Sequence, residues 1–534
     1  MTEGMYPHRR IFSVAVAAAA LALLATACSA SSSSSSGSTG SAGVTSTFTD
    51  TAAPSGSWLY PNGDLANTRV ATGSTITAAN VSQLKEAWSF KLTGQGAANL
   101  HGAGSLAANP VVADGVVYVQ DLYSNVYALS LATGKLKWEY VVNSPVKTGP
   151  GPNGVAVADG MVFGQTATTA FALNAATGKP AWTDSSLLSS GQGTFEMQPQ
   201  AAGGRVYLST GYGSGPGGGV LMALNASNGA MLWKFNTLTG PAPGVQSLGL
   251  GAGGAWETPL VGSDGSVTFG TGNPYQTFQS AISQPARMLY TNSEVNLDAA
   301  TGKLRWYYQA VPNDFKDYDM QASPIAATVG GVPVIIGGGK MGDVYAMNAS
   351  TGALLWKTPV GEHNGHDDDG LLLLEHKITL KAPEVIAPGS YGGILANMAL
   401  ADGTVYIETI NLPLKISTLQ SVDADASAGS GVSGEVEALS LATGTVEWAT
   451  KVASFPLGGT TVVNNLVVTT LITGEVLALN RSTGAIVSQQ KLVPAETNAP
   501  IAVAGNAVIV AAGAPLKTAT VRGGVPQVVA YTVP

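Results

Sequence analysis

The sequence predicts an all-β fold, an eight-bladed β-propeller of four-stranded antiparallel blades with tryptophan-containing repeats. Three observations predict it: a recurring hairpin pattern, a composition rich in glycine and poor in charge, and a nearly even spacing interrupted by two long gaps. The pattern is Ala-Leu-x-x-x-x-Gly-x-x-x-Trp. It runs as ALSLATGKLKW to Trp138, ALNAATGKPAW to Trp182, ALNASNGAMLW to Trp233 and NLDAATGKLRW to Trp306. AMNASTGALLW to Trp356 and ALSLATGTVEW to Trp448 follow; ALNRSTGAIVS is a worn copy ending at Ser488, and LKEAWSF places Trp88 ahead of the series, which makes eight copies.

Each copy reads as a hairpin. An alternating strand such as VVYVQ or VYAL enters a Thr-Gly turn, where glycine supplies φ > 0, and a second strand opens with the tryptophan. A lone four-stranded sheet cannot bury both faces, but blades set radially bury them against their neighbours, with the tryptophans packed between blades. The turn glycines 134, 178, 229, 302, 352, 444 and 484 are 44, 51, 73, 50, 92 and 40 residues apart. Most gaps hold one blade; the two long ones carry extra loops, where binding is expected. A solenoid would need caps, and no capping helix is evident.

Charged residues are 11% of the chain and glycine numbers 67 of 534, which suits short strands and tight turns. The net charge is −8, and no basic tract follows the first ten residues, which argues against nucleic-acid binding.

Residues 1–28 read as an export signal. His8-Arg9-Arg10 precedes an uncharged, mostly apolar run from Ile11 to Leu24, too short to span a bilayer comfortably, and Ala25-Thr26-Ala27-Cys28 resembles a lipobox. Arg9-Arg10-Ile11-Phe12 also resembles a twin-arginine signal. Cys28 is thus expected to carry lipid, and residues 29–56, nearly all Ser, Gly, Thr and Ala, to be a flexible tether. The expected location is outside the cytoplasm, anchored to a membrane by that lipid. Cys28 is the only cysteine, so the chain has no CxxCH haem attachment and its electrons must leave through another molecule.

Within 57–534, the opening WLYPNGDLANTRV…ITAANVSQLKEAWSF, AWETPLVGSDGSVTFGTGNP, LYTNSEVNLDAATGKLRWYYQAVPNDFKDYD and GGGKMGDVYAMNASTGALLW resemble the PQQ-dependent alcohol dehydrogenases, or quinoproteins. Other propellers share the Thr-Gly turns but not GTGNP followed by a DYD segment. The resemblance implies oxidation of an alcohol or polyol by PQQ (pyrroloquinoline quinone) beside a bound calcium or lanthanide ion, with a cytochrome or quinone as external acceptor. It further implies that Trp256 stacks on the quinone, that Asn273 ligates the cation, that Asp317 ligates it and takes the alcohol proton, and that Lys340 holds the quinone C5 oxygen. Standing alone, Trp256 would be a ninth packing tryptophan, Asn273 an Asn-Pro turn, and Asp317 and Lys340 solvated charges.

The chain departs from that family in TGYGSGPGGG, where Ser214 occupies the position of a glutamate ligand. GPGPNG replaces a vicinal cysteine pair, Asn153 stands where arginine is frequent, and Ala107 where an acid is frequent. Asp319, two residues past Asp317 and on the same face if the segment is extended, matches an additional aspartate of the lanthanide-using members. Glu196 in FEMQP is a weaker substitute. Both would otherwise be exposed acids. The run His363-Asn-Gly-His366-Asp367-Asp368-Asp369 has residue types that bind metals, but three consecutive acids read as a solvated loop. The alternative to an enzyme is a non-catalytic propeller lipoprotein that serves as a binding or assembly scaffold, because the repeat itself is common to both.

Overall fold

Short runs of β-branched and apolar residues set the strands, and glycine or asparagine at each reversal sets their length. The computed structural model describes residues 56–93, 106–143, 153–211, 218–238, 252–419, 433–493, 497–513 and 525–534. The export signal with Cys28, the tether up to residue 55, and Ser214 lie outside the described residues. Eight antiparallel four-stranded sheets follow one another along the chain. The first shows the plan: Val111–Ala113, Val116–Gln120, Val126–Ser130 and Leu136–Tyr140 pair in chain order. Its second strand is buried at every residue and its outermost strand at none, as expected where sheets pack on both faces and expose only a rim.

Blades two to seven repeat this plan, and the eighth is composite. It takes Ala502–Ala504, Ala507–Ala512 and Gln527–Thr532 from the end of the chain and Lys85–Lys91 from near its start. Lys85 pairs with Thr532 and Lys91 with Gln527, which closes the ring.

The tryptophans latch each blade to the next. The indole N–H groups of Trp88, Trp138, Trp182, Trp233, Trp306, Trp356 and Trp448 donate to the carbonyls of Leu131, Ala175, Ala226, Ala299, Ala349, Leu441 and Arg481, at 2.7–3.0 Å. Each ring also lies on the turn glycine of that next blade. At Gly302 (φ 68°) an added Cβ would sit 2.6 Å from Trp233, so the residue must both adopt a left-handed turn and leave room for an indole. The tryptophan does not open its strand, as the sequence suggested; Trp138 is the third residue of Leu136–Tyr140, and Lys137 before it bulges out of register. The worn copy at Ser488 now has a reason. Blade eight is assembled from both chain ends and has no Thr-Gly turn, so blade seven has no seat for an indole. The short 3₁₀ turn Val81–Gln83 lies there instead, and its Val81 carbonyl accepts from Gln490 Nε2 at 3.0 Å.

The segment from Trp58 to Ala71 crosses the ring. Trp58 exchanges backbone hydrogen bonds with Val112 of blade one, Ala66 accepts from Ala326 of blade five, Thr68 accepts from Leu400 of blade six, and Val70–Ala71 runs parallel to Val462–Val463 of blade seven. Arg69, fully buried, donates to Thr460 O, Asn62 Oδ1, Asn109 Oδ1, Thr461 Oγ1 and Ile501 O at 2.7–3.0 Å, and its guanidinium lies over Trp58.

The long gaps hold two short helices, Phe278–Ser283 and Asp369–Leu374, and a small sheet of Glu384–Ile386 with Leu414–Ile416. Phe278, Phe315, Leu373, Ile386 and Leu414 form a separate apolar cluster beneath them. In antiparallel blades, the links after the second strand and after the fourth strand emerge at the same end. These insertions and all the candidate residues lie on links of those two kinds.

Candidate active site

Trp256 sits on the link into blade four and is 6% exposed. Glycines clear its ring: an added Cβ would lie 2.0 Å from the indole at Gly211, and 3.3 Å from it at Gly254 and at Gly272. Its burial equals that of Trp306, so burial does not distinguish it from the packing tryptophans. Its place does, because it lies outside the seven-indole latch, and Gly272 borders both its ring and Asp319.

Asn273 follows Ser266–Gly270, the second strand of blade four. Its backbone N–H donates to Asp319 Oδ1 at 2.8 Å, its Nδ2 donates to the same oxygen at 3.0 Å and also to Asp317 Oδ1, and its Oδ1 accepts from Tyr275 N at 2.5 Å.

Asp317 and Asp319 lie on the link from blade four to blade five. Asp314 shapes that link by accepting from Lys316 N (2.8 Å), Tyr318 N (2.7 Å) and Asn292 Nδ2 (3.0 Å). The extended geometry expected for the pair is not what forms: Asp317 has φ of 62°, a left-handed conformation tolerated by Asp better than by most residues. The turn nevertheless aims both carboxylates at one cation. Lys340 Nζ lies 2.8 Å from Asp317 Oδ2 and 2.6 Å from Asp319 Oδ2. Burial works against the ammonium, but the two aspartates outweigh it and hold the Lys340 pKa well above the usual lysine range. The two loops touch through backbone as well, with Lys340 N donating to Asp319 O at 3.1 Å, and a Cβ at Gly339 would collide with that carbonyl.

Asp317 is 7% and Asp319 2% exposed, so neither is the solvated acid that its type suggested. Glu196 is also fully buried: its Oε1 accepts from Thr194 Oγ1 at 2.8 Å, and its Oε2 lies next to Gly211, which the Trp256 ring also borders. Asn153 is buried and donates its backbone N–H to Glu196 O at 3.0 Å, and Ala107 packs on Leu122.

The histidine cluster is not the solvated loop expected. His363 Nδ1 pairs with Asp367 at 2.6 Å while its Nε2 faces the carbonyls of Gly342 and Val360, and these partners raise its pKa against the effect of burial. His366 pairs with Asp369, which is 3% exposed, and the carbonyl of His366 accepts from the buried Lys316 at 2.5 Å. The cluster ties the insertion to blade five. Sequence reasoning missed Tyr391, whose ring centroid lies 5.9 Å from Lys340 Nζ; no local pattern marks it.

Among the described residues, no three His, Cys, Asp or Glu side chains converge on a metal-binding point. What does converge is hard oxygen from the carboxylates of Asp317 and Asp319, while the Asn273 amide turns its nitrogen to them and its oxygen to Tyr275 N. Two carboxylates and one ammonium thus meet in a buried place. That donor set fits a cation of the calcium or lanthanide kind, and the glycine-cleared indole fits a flat ring system.

Comparison with known proteins agrees with this fold. The model for the glucose/ethanol/alcohol dehydrogenase β-propeller domain matches residues 58–181 and 215–364, just over half of the chain. The model for outer membrane protein assembly factor BamB matches residues 432–521. A quinohemoprotein alcohol dehydrogenase of Comamonas testosteroni is 27% identical over 405 residues, covering 68% of this chain and 56% of that one. The quinoprotein alcohol dehydrogenase PedH of Pseudomonas putida is 28% identical over 274 residues, 46% of this chain and 44% of its own. The chain thus spans about half the length of the curated relatives it matches. Among solved structures, the Comamonas enzyme superposes with a TM-score of 0.73 at 23% identity, covering 90% of this chain and 81% of that one. A europium-containing methanol dehydrogenase superposes at 0.72 and 21% identity, covering 90% and 98%. The eight blades, their closure and the matched segments together place this chain in the PQQ family of glucose/ethanol/alcohol dehydrogenase β-propellers.

Proposed function

We propose that the chain oxidises an alcohol with PQQ and a bound calcium or lanthanide ion, and passes the electrons to an external cytochrome or quinone. The observation that carries this reading is the buried Lys340 ammonium held between Asp317 and Asp319, with Gly272 bordering both Asp319 and the Trp256 ring. In this reading Trp256 offers its face to the quinone, Lys340 reaches the C5 oxygen, and Asn273, Asp317 and Asp319 hold the cation. When bound, the quinone supplies the two-electron sink for the alcohol carbon. Asp317 receives the hydroxyl proton on a carboxylate oxygen. Asn273 and Lys340 fix the direction of that carboxylate. Names of the relatives support this reading, including a 1-butanol dehydrogenase (cytochrome c) of Thauera butanivorans.

The test is reconstitution of the protein with PQQ and calcium or lanthanum, followed by absorbance and by dye-linked oxidation of alcohols. Asp317→Asn is expected to take up PQQ and lose turnover. A parent protein that takes up no PQQ overturns the reading and favours the assembly scaffold, which the match of residues 432–521 supports. We also infer a lipid anchor at Cys28, which keeps the propeller outside the cytoplasm. Cys28→Ala is expected to move it from the membrane to the soluble fraction, and continued membrane retention refutes the anchor.

A further inference from the structure

Exposed large apolar side chains on this molecule fall mostly on the rim: Leu136, Met231, Leu354, Val446 and Ile486 all belong to the outermost strands of their blades. Tyr391 is different. It is 42% exposed, yet its ring stands against the ammonium of Lys340 at the centre of the candidate site.

The turn that presents this ring is held firmly. Gly389 N donates to Leu412 O, Gly392 N to Gly389 O, and Gly393 and Ile410 exchange two backbone bonds, all at 2.8–2.9 Å. Ile394 N donates to Gly339 O at 3.1 Å, so the turn is joined to the residue before Lys340. Gly393 (φ 68°) packs so closely that a Cβ would lie 2.3 Å from Lys340 O. Pro388 is tied to the other catalytic loop, because its carbonyl accepts from Tyr318 OH at 2.5 Å. The backbone beneath Tyr391 is therefore fixed to both Lys340 and the Asp317 loop, while the ring itself stays open to solvent. A rigidly mounted aromatic with an open face is a contact surface whose ordering cost is already met.

We propose that Tyr391 recognises the carbon skeleton of the substrate, and that it selects alcohols with an apolar chain or ring over methanol-sized alcohols and polyols. This rests on the alcohol-oxidation reading above. Asp317, which receives the hydroxyl proton, lies 2.8 Å from Lys340 Nζ, and the centroid of the Tyr391 ring lies 5.9 Å from the same ammonium. The ring is therefore within about 9 Å of the proton-accepting carboxylate, a span that a chain of a few carbons on the hydroxyl covers. A polyol would place hydroxyl groups on an apolar face and lose their water without a partner.

The test compares parent, Tyr391→Ala and Tyr391→Phe with ethanol, 1-butanol, 1-hexanol and glycerol as substrates. In the parent, kcat/KM should rise up to about fourfold for each methylene that reaches the ring. In Tyr391→Ala that rise should flatten, with 1-hexanol losing about tenfold more of its kcat/KM than ethanol, mainly through KM. Tyr391→Phe should keep the parent pattern. A second readout needs no turnover: saturation-transfer NMR of 1-hexanol on the cofactor-free protein should show contact in the parent and Phe forms and lose it in the Ala form. Equal chain-length dependence in parent and Tyr391→Ala overturns the proposal, as does equal 1-hexanol contact. A parent that oxidises none of the alcohols overturns the alcohol-oxidation reading, and the NMR comparison then decides the role of Tyr391 by itself.

Discussion

Replacing Lys340 with methionine keeps much of its volume and removes the only cation within ion-pair distance of Asp317 and Asp319 among the described residues. Both acids then remain buried with their negative charges facing each other across a gap that the ammonium filled. Removing one partner of a buried ion pair costs about 3–5 kcal/mol, because the remaining charge has neither water nor a counter-ion. With an unfolding entropy of roughly 2 cal/mol/K per residue, a propeller of this size shifts by about 1 °C per kcal/mol, so the expected fall in Tm is about 3–5 °C. The same vacancy should make the site a stronger cation trap. A ligand at about 100 times its Kd stabilises by roughly 2.7 kcal/mol, so lanthanum chloride should recover about half of the lost Tm or more. The assay is differential scanning calorimetry of PQQ-free protein at pH 7, with and without lanthanum, on parent, Lys340→Met and a control, Lys303→Met, at an exposed lysine. A Lys340→Met melt no lower than the control, or one that lanthanum leaves unmoved, would refute the idea that these oxygens form one cation-seeking group.

Two further outcomes follow from the same reasoning. Burial raises Glu408 from 4.5 to about 7, opposed by the Thr469 hydroxyl, the Gly459 amide and Arg69. The native state therefore keeps a proton that the unfolded chain has lost, and stability falls by about 3 kcal/mol as pH rises from 4.5 through 7. Glu408→Gln should flatten that slope, matching the parent near pH 4 and melting about 3 °C higher at pH 8; parallel Tm profiles would count against it. Trp306→Ala should cost about 3–5 kcal/mol and leave PQQ affinity intact, whereas Trp256→Ala should lower both Tm and PQQ affinity, as read by calorimetry and by PQQ absorbance titration. Unchanged PQQ affinity in Trp256→Ala would make Trp256 a packing residue only.

The fold was legible in the sequence because its decisive contacts repeat: every latch joins a tryptophan to the turn glycine of the next blade, so both ends recur at blade spacing. Even the exception at Ser488 could be seen, though its reason appears only once the two chain ends are found in one blade. The candidate site was legible where residues carry a chemical type into a distinctive segment, as Trp256, Asn273, Asp317 and Lys340 do. It was not legible where type misleads. Asp319 and Glu196 look like surface acids and are buried, and His363–Asp369 looks like a solvated run and is a folded strut. Arg69 within NTRV and Tyr391 within GSYGG have no local signal, because their importance comes from partners on distant blades.

The composite eighth blade also governs when this molecule can become itself. Lys85–Lys91 is synthesised early and finds its partner, Gln527–Thr532, only when the final residues are made. Until then two strands wait with bare edges: KEAWSFK, and AVIVAA, which QVVAYT will cover. Unpaired apolar edges are where chains cross-pair with their neighbours. A nascent chain therefore cannot lock its ring until Gln527–Thr532 has been made, and a chain cut before Gln527 has seven blades and no clasp.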